Sequence, residues 1–222
     1  MLKKPMSNEK KPAMQASFIC IQSVKRIHGK AEIQLSNGSF ITMPRCMLKE
    51  RPYKTGVHFD LASHNEFIQN RAYPFALDKA ISMLAIRART EHELVQALHN
   101  CAFSDPVIAR VMARIQEAGY INDADFAEHW AAARTAKGLG KMRIRMELRH
   151  KGIAQSEIDD ALASLDHDAM FDSAIKAAEK AARGRNLSEH AERQKILAAL
   201  ARRGFDFSTA KRALQYILDH DT

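Results

Sequence analysis

Three stretches of this chain, VQALHNCAFSDPVIARVMARI, RMELRHKGIAQSEIDDALASL and LAALARRGFDFSTAKRALQYI, can be laid over one another residue by residue. Leu98, Leu148 and Leu200 fall in one column, Phe103, Ile153 and Phe205 in a second, Met112, Leu162 and Leu214 in a third, and Ile115, Leu165 and Ile217 in a fourth. The leucines stand 50 and 52 residues apart. Each stretch reads as a helix, a tight turn and a second helix. Gly152 and Gly204 follow the first helix, where a left-handed cap favours glycine. The first copy carries Ala102 there, so its turn is expected to close differently. One more helical segment precedes each pair, over 75–89, 123–137 and 168–183, which makes three helices per unit. Periods of this size predict an elongated, curved array in which each unit buries a face on its neighbour, and such surfaces usually bind macromolecules. Chance helical periodicity would not reproduce both the turn chemistry and four apolar columns.

Ahead of the repeats the chain changes character twice. Residues 1–16 carry Lys3, Lys4, Lys10 and Lys11 with two prolines and almost no bulky apolar residues, the composition of a flexible basic tail. Apolar residues then alternate (Ile19, Ile21; Ile33, Leu35; Phe40) around His28-Gly29 and Asn37-Gly38. The second dipeptide predicts a type I′ hairpin and a small antiparallel sheet. Such a sheet needs the helices or a partner to be stable. Residues 46–70 read as turn and short helix, and after Tyr73-Pro74 the helical pattern is unbroken. The expected fold is mainly α: an N-terminal antiparallel sheet, then three tandem three-helix repeats. The expected division is 1–16 tail, 17–70 sheet domain, and repeats at 71–121, 122–166 and 167–222.

An apolar share of 46% in 222 residues can fill a core, and no run approaches the length of a membrane span or a signal peptide, so a cytoplasmic protein without membrane contact is expected. The formal charge of +8 favours an anionic partner. Cys20, Cys46 and Cys101 form neither a CxxC pair nor a disulfide framework, and read as reduced thiols. The histidines show no zinc spacing, His92 and His99 being the nearest approach to one, and no nucleophile elbow occurs. The expectation is a protein with no catalytic residue, metal or cofactor.

The chemistry concentrates in GYINDADFAEHWAAARTAKGLGKMRIRMELRHKGI, residues 119–153. Asn122 or Asp123 can cap the following helix. Phe126 and Trp130, four apart, share a face and read as core rather than as a base-stacking platform. Gly138 and Gly140 make a sharp turn, too short for a dinucleotide loop and preceded by no strand. Ile144 and Leu148 point one way, while Lys141, Arg145 and Arg149 form a flanking ridge and Arg143 lies close to Glu147. With Arg134, Lys137 and Lys151, the segment from 134 to 151 holds seven positive charges and one negative. These seven, together with Arg202 and Arg203, are the candidate contacts to a partner or DNA, because arginine suits carboxylate and phosphate alike. A secondary basic surface is expected from Arg183, Arg185, Arg202, Arg203, Lys211 and Arg212.

The same segment resembles the RecX family of recombination regulators. The matching positions are Gly119, Tyr120, Asp123, Phe126, Ala127, Arg134, Gly138, Gly140, Arg143, Ile144, Glu147, Leu148, Lys151, Gly152 and Ile153, and Trp130 belongs to the same motif. A weaker match runs from Tyr73 to the C-terminus. The resemblance implies binding along the groove of RecA filaments on DNA and damping of their ATPase, strand-exchange and coprotease activities in recombination, DNA repair and the SOS response. A monomer is expected, with weak auxiliary contact to DNA. The rival reading is a helix-turn-helix-like DNA-binding regulator, which would bind duplex tightly and selectively without recombinase. A hydrolase or nuclease ranks last for want of a metal or nucleophile constellation.

Overall fold

The structure, a computed structural model, describes residues 18–220; the expected basic tail lies outside the described residues. A four-stranded antiparallel sheet is built from β1 (Phe18–Arg26), β2 (Lys30–Leu35), β3 (Phe40–Pro44) and β4 (His58–Asp60), in the order β3-β2-β1-β4. The helices are α1 (Leu61–Ile86), α2 (Glu91–Asn100), α3 (Asp105–Glu117), α4 (Asp123–Ala136), α5 (Lys141–His150), α6 (Gln155–Ala163), α7 (His167–Ala182), α8 (His190–Arg202) and α9 (Phe207–His220). No helix among the described residues is long and apolar enough to cross a membrane. The chain divides into two compact units, one of residues 18–79 with Leu98–Val111, the other of Ala80–Ala97 with 112–220.

In the first unit, strand alternation buries Ala31, Ile33 and Leu35 with Ile21, Met43 and Met47. Phe40, read as part of that alternation, is instead 64% exposed. The turn after β2 also differs from the sequence reading. Gly38 has φ +82°, but Ala102 is the only non-glycine with positive φ among the described residues, so Asn37 cannot complete a type I′ turn. Leu35 N–H donates to Ser39 O at 2.9 Å and closes a three-residue loop, in which only the last residue needs the left-handed region. Helix α1 begins at Leu61, not near residue 75, and the expected 70/71 junction falls inside it. Asp60 Oδ2 accepts from Ser63 N–H at 2.8 Å at its start. Pro74 is tolerated mid-helix because the carbonyl it leaves without a donor belongs to exposed Asn70, where water can serve.

The turn after α2 closes like its two copies. Ala102 takes φ +62°, beside +79° at Gly152 and +87° at Gly204. Phe103, Ile153 and Phe205 N–H each donate to the carbonyl of the column leucine, at 3.3, 3.2 and 3.2 Å. The expectation of a different closure is thus corrected: the alanine accepts the strained backbone. Of the four apolar columns, every member is buried except Leu165, which is half-buried.

The second unit holds a continuous core across α4 to α9, centred on Ile144, Leu148, Ile158, Ile196 and Leu200. Alanines on α4 (Ala127, Ala131) and α7 (Ala174, Ala178) are fully buried there and let backbones approach closely. The turns between helices form its joints. A Cβ on Gly140 would lie 2.3 Å from the Gly204 carbonyl carbon, and one on Gly152 would lie 2.2 Å from His92 Cβ. At the first joint Gly140 N–H donates to Arg203 O (2.9 Å) and Met142 N–H to Gly204 O (3.0 Å); at the second, Thr90 Oγ1 donates to Lys151 O (2.7 Å). Within the first unit, Gly29 of the β1–β2 turn sits similarly against Cys101, whose Sγ would be 2.9 Å from a Cβ there.

Candidate binding surface

The ends of α4 and α2 are ordered by an exchange of caps. Asn122 Oδ1 accepts from Asp125 N–H at 3.2 Å, so Asn122 caps α4, while Asp123 Oδ1 accepts from Glu91 N–H at 3.0 Å at the start of α2. Burial, and beyond it the nearby carboxylates of Glu157, Glu91 and Glu93, pushes the Asp123 carboxyl above its ordinary range.

Phe126 and Trp130 stack with centroids 5.6 Å apart and planes 16° from parallel, half-buried against the core. Trp130 is flanked by cations: the Arg134 guanidinium lies 4.1 Å and Lys151 Nζ 4.2 Å from its centroid. Its Nε1–H donates to Glu147 Oε2 at 3.1 Å. The indole thus lies at the margin of the core rather than inside it, held between two cations and the Glu147 carboxylate.

Most of the basic segment turns out to be paired. Arg134 Nε lies 2.7 Å from Glu147 Oε2, and Arg143 Nε 3.7 Å from Glu147 Oε1. Arg145 donates to Asp159 at 3.1 Å, and Arg149 donates twice to Gln155 Oε1, at 3.0 and 2.7 Å. Lys151 Nζ is 2.6 Å from Glu93 Oε1. Burial opposes the Glu93 charge, but hydrogen bonds from Lys151 and Arg87 bring its carboxyl below the usual range. Seven charges against one is therefore a property of the sequence window. Once folded, Asp159 and Glu93 supply acid from outside it. Among the described residues, Lys137, Lys141 and Arg149 are the members of the segment with no ion pair, Arg149 being held by a neutral amide.

Burying Ile144 and Leu148 turns the opposite face of α5 outward. That face carries Met142 and Met146, 59% and 51% exposed, with exposed Arg149 beside them and the half-buried Lys141 and Arg145 along its flank. The methionines were not singled out in the sequence, although their four-residue spacing on the polar side of an amphipathic helix was visible there.

The secondary basic surface also reorganises. Arg183, Arg185, Arg202 and Arg203 converge with Lys180 and Lys195 around an open cleft of about 600 Å3 at α7 and α8. Lys211 does not line it, and Arg212 instead lies 4.5 Å over the Phe171 ring. Among the described residues no group of three or more His, Cys, Asp or Glu side chains is arranged to hold a metal ion.

Three family models match the chain: the first three-helix domain of RecX over residues 76–114, the second over 122–162 and the third over 168–214. The chain is 34% identical over 143 residues to the regulatory protein RecX of Chlorobium phaeobacteroides (strain BS1), an alignment covering 64% of this chain and 93% of that one. To the regulatory protein RecX of Leuconostoc citreum (strain KM20) it is 28% identical over 193 residues, covering 85% and 72%. A crystal structure of regulatory protein RecX superposes with a TM-score of 0.60 at 22% identity, over 87% of this chain and 97% of that one. The crystal structure of RecX from Lactobacillus salivarius gives 0.61 at 21% identity, over 65% and 96%. At those identities the likeness is one of fold.

Proposed function

The chain belongs to the RecX family of regulatory proteins, and from that premise we propose that it binds RecA recombinase filaments assembled on DNA and lowers their ATPase, strand-exchange and coprotease activities. It acts in the cytoplasm by binding alone and performs no chemistry of its own. Its contact to the filament is the outer face of α5, where Met142 and Met146 are exposed and Lys141, Arg145 and Arg149 run along one flank. Flexible thioethers fill irregular apolar sockets, and the surrounding cations favour an acidic groove. That mixed apolar and cationic ridge is the observation carrying the assignment, because a purely solvated face has no use for exposed methionines at four-residue spacing. Binding of this kind shifts the filament between states only as far as it prefers one of them.

The rival helix-turn-helix reading requires a helix whose N-terminal residues enter the major groove. On α5 the backbone donors of that end are already used, since Gly140 and Met142 N–H are taken by the carbonyls of Arg203 and Gly204 and are not free for a DNA phosphate. The deciding experiment is ATP turnover by the cognate recombinase on single-stranded DNA. Turnover should fall as the chain is added, and a Met142→Ser, Met146→Ser variant with unchanged circular dichroism should lose most of that effect. Unchanged turnover at saturating protein rejects the assignment.

A further inference from the structure

Two of the three cysteines meet at one glycine. Gly29, in the β1–β2 turn, accepts from Arg45 N–H through its carbonyl at 3.1 Å, and Cys46 is the next residue along. Against the same glycine, a Cβ would lie 2.9 Å from Cys101 Sγ and 3.5 Å from Cys101 Cα. Cys46 and Cys101 are 55 positions apart in the chain, yet both belong to the first unit and each lies about one residue from Gly29. Cys46 is exposed and Cys101 half-buried, so an oxidant from solution meets Cys46 first. Enough protein still surrounds the Cys46 sulfur that burial raises its pKa above the ordinary thiol value; backbone hydrogen bonds oppose that, and the neighbouring Cys101 thiol adds to it. The Cys101 contribution is the mutual effect of two sulfurs close enough to feel one another's charge.

We propose that Cys46 and Cys101 form a dithiol that small-molecule disulfides such as oxidised glutathione convert to an internal disulfide, stapling the segment after β3 to the turn after α2. The Cys46 thiolate attacks one sulfur of oxidised glutathione, the S–S bond of the oxidant breaks, and one glutathione leaves as its thiolate. Cys101, deprotonated in turn, attacks the Cys46 sulfur of the mixed disulfide and expels the second glutathione. Two protein thiols are oxidised, one glutathione disulfide is reduced, and the two cysteine protons end on the two glutathione thiols. The raised pKa of Cys46 keeps its thiolate scarce near neutral pH, so closure is slow and follows a sustained load of oxidant rather than a brief pulse. Gly29 permits the approach, since a larger residue there would push the Cys101 sulfur aside. Closing a loop of this length restricts the unfolded chain far more than the folded one. The staple lies in the sheet unit and does not depend on what α5 contacts.

The test equilibrates the full chain in glutathione redox buffers, quenches with acid, alkylates the remaining thiols and maps the protein with trypsin in the absence of reductant. Cleavage puts each cysteine on its own peptide, 11–25, 46–49 and 90–110. The expected product is peptide 46–49 bridged to 90–110, with an intact mass lower by about 2 Da and Cys20 outside the bridge. A flexible chain gives a pair of thiols an effective concentration on the order of millimolar, the value expected for the same protein in concentrated urea; the folded chain should exceed it by roughly tenfold or more. By the same linkage the oxidised chain should melt about 5 °C or more above the reduced one. Cys46→Ser and Cys101→Ser, each with the circular dichroism of the parent, should abolish the bridge, and Cys20→Ser should leave it intact. A bridge that includes Cys20, links between chains, or glutathione adducts in place of the bridge would overturn the proposal. So would equal effective concentrations in the folded and unfolded chain, or an oxidised form that melts no higher than the reduced one.

Discussion

Ala102 occupies a backbone region, φ +62°, that costs an L-residue about 1–2 kcal/mol relative to glycine. Its counterparts Gly152 and Gly204 make the same turn without that cost. Ala102→Gly should therefore stabilise the protein by about 0.5–1 kcal/mol, once the greater freedom of glycine in the unfolded chain is subtracted, seen as a higher urea midpoint. Gly152→Ala should do the reverse. Its methyl group would meet His92 Cβ at 2.2 Å, and with the φ strain the loss should be roughly 2–4 kcal/mol. His64 is buried, with Tyr53 Oη 3.2 Å from its Nδ1, and burial followed by the nearby Arg51 charge holds its pKa below the ordinary 6.5. The unfolded chain therefore takes up the proton first as pH falls. The contribution of the neutral ring is complete above pH 6.5 and is lost as pH drops below it toward the folded value. Thermal melts from pH 8 to 5 should show that decline, and His64→Gln should flatten it.

At the scale of elements, α5 illustrates how far a pattern reaches. Its apolar period identifies Ile144 and Leu148 as the inward face, and both are fully buried. The spacing of Arg143 and Glu147 likewise anticipates their pairing. What joins α5 to α4 is Glu147, which accepts from Trp130 Nε1 and lies beside Arg134. Removing that carboxylate strands two donors in a half-buried position, so Glu147→Ala should cost about 1–3 kcal/mol. Combined with Trp130→Phe, the loss in denaturant melts should be less than additive. Helix starts were less legible. Both Asn122 and Asp123 carry capping oxygens, and the choice between them depends on where α2 lies. The start of α1 was hidden by Pro74, which ordinarily marks a boundary but here sits in the helix interior.

For the whole molecule, two cationic surfaces with different surroundings predict different kinetics. The cleft at α7 and α8 is purely cationic, whereas the α5 ridge mixes charge with apolar anchors. Electrostatic contacts govern encounter, while buried apolar anchors govern residence. In stopped-flow mixing with DNA-bound recombinase at low salt, the Lys180→Ala, Arg183→Ala, Arg202→Ala variant should associate more slowly yet reach the parent level of inhibition at saturation. Loss of that plateau would place the filament contact in the cleft instead.

Helix count, repeat period, apolar columns and the glycine turns were determined by the sequence alone, because each arises from contacts between residues close in the chain or from the intrinsic backbone preference of one residue. Which cations remain free was decided only by the tertiary structure. The acids that neutralise Arg145 and Lys151 lie 14 and 58 residues away from them, and the cations of the cleft come together across two helices. Charge interactions depend on distance in space, and no local window records which distant carboxylate will arrive beside an arginine.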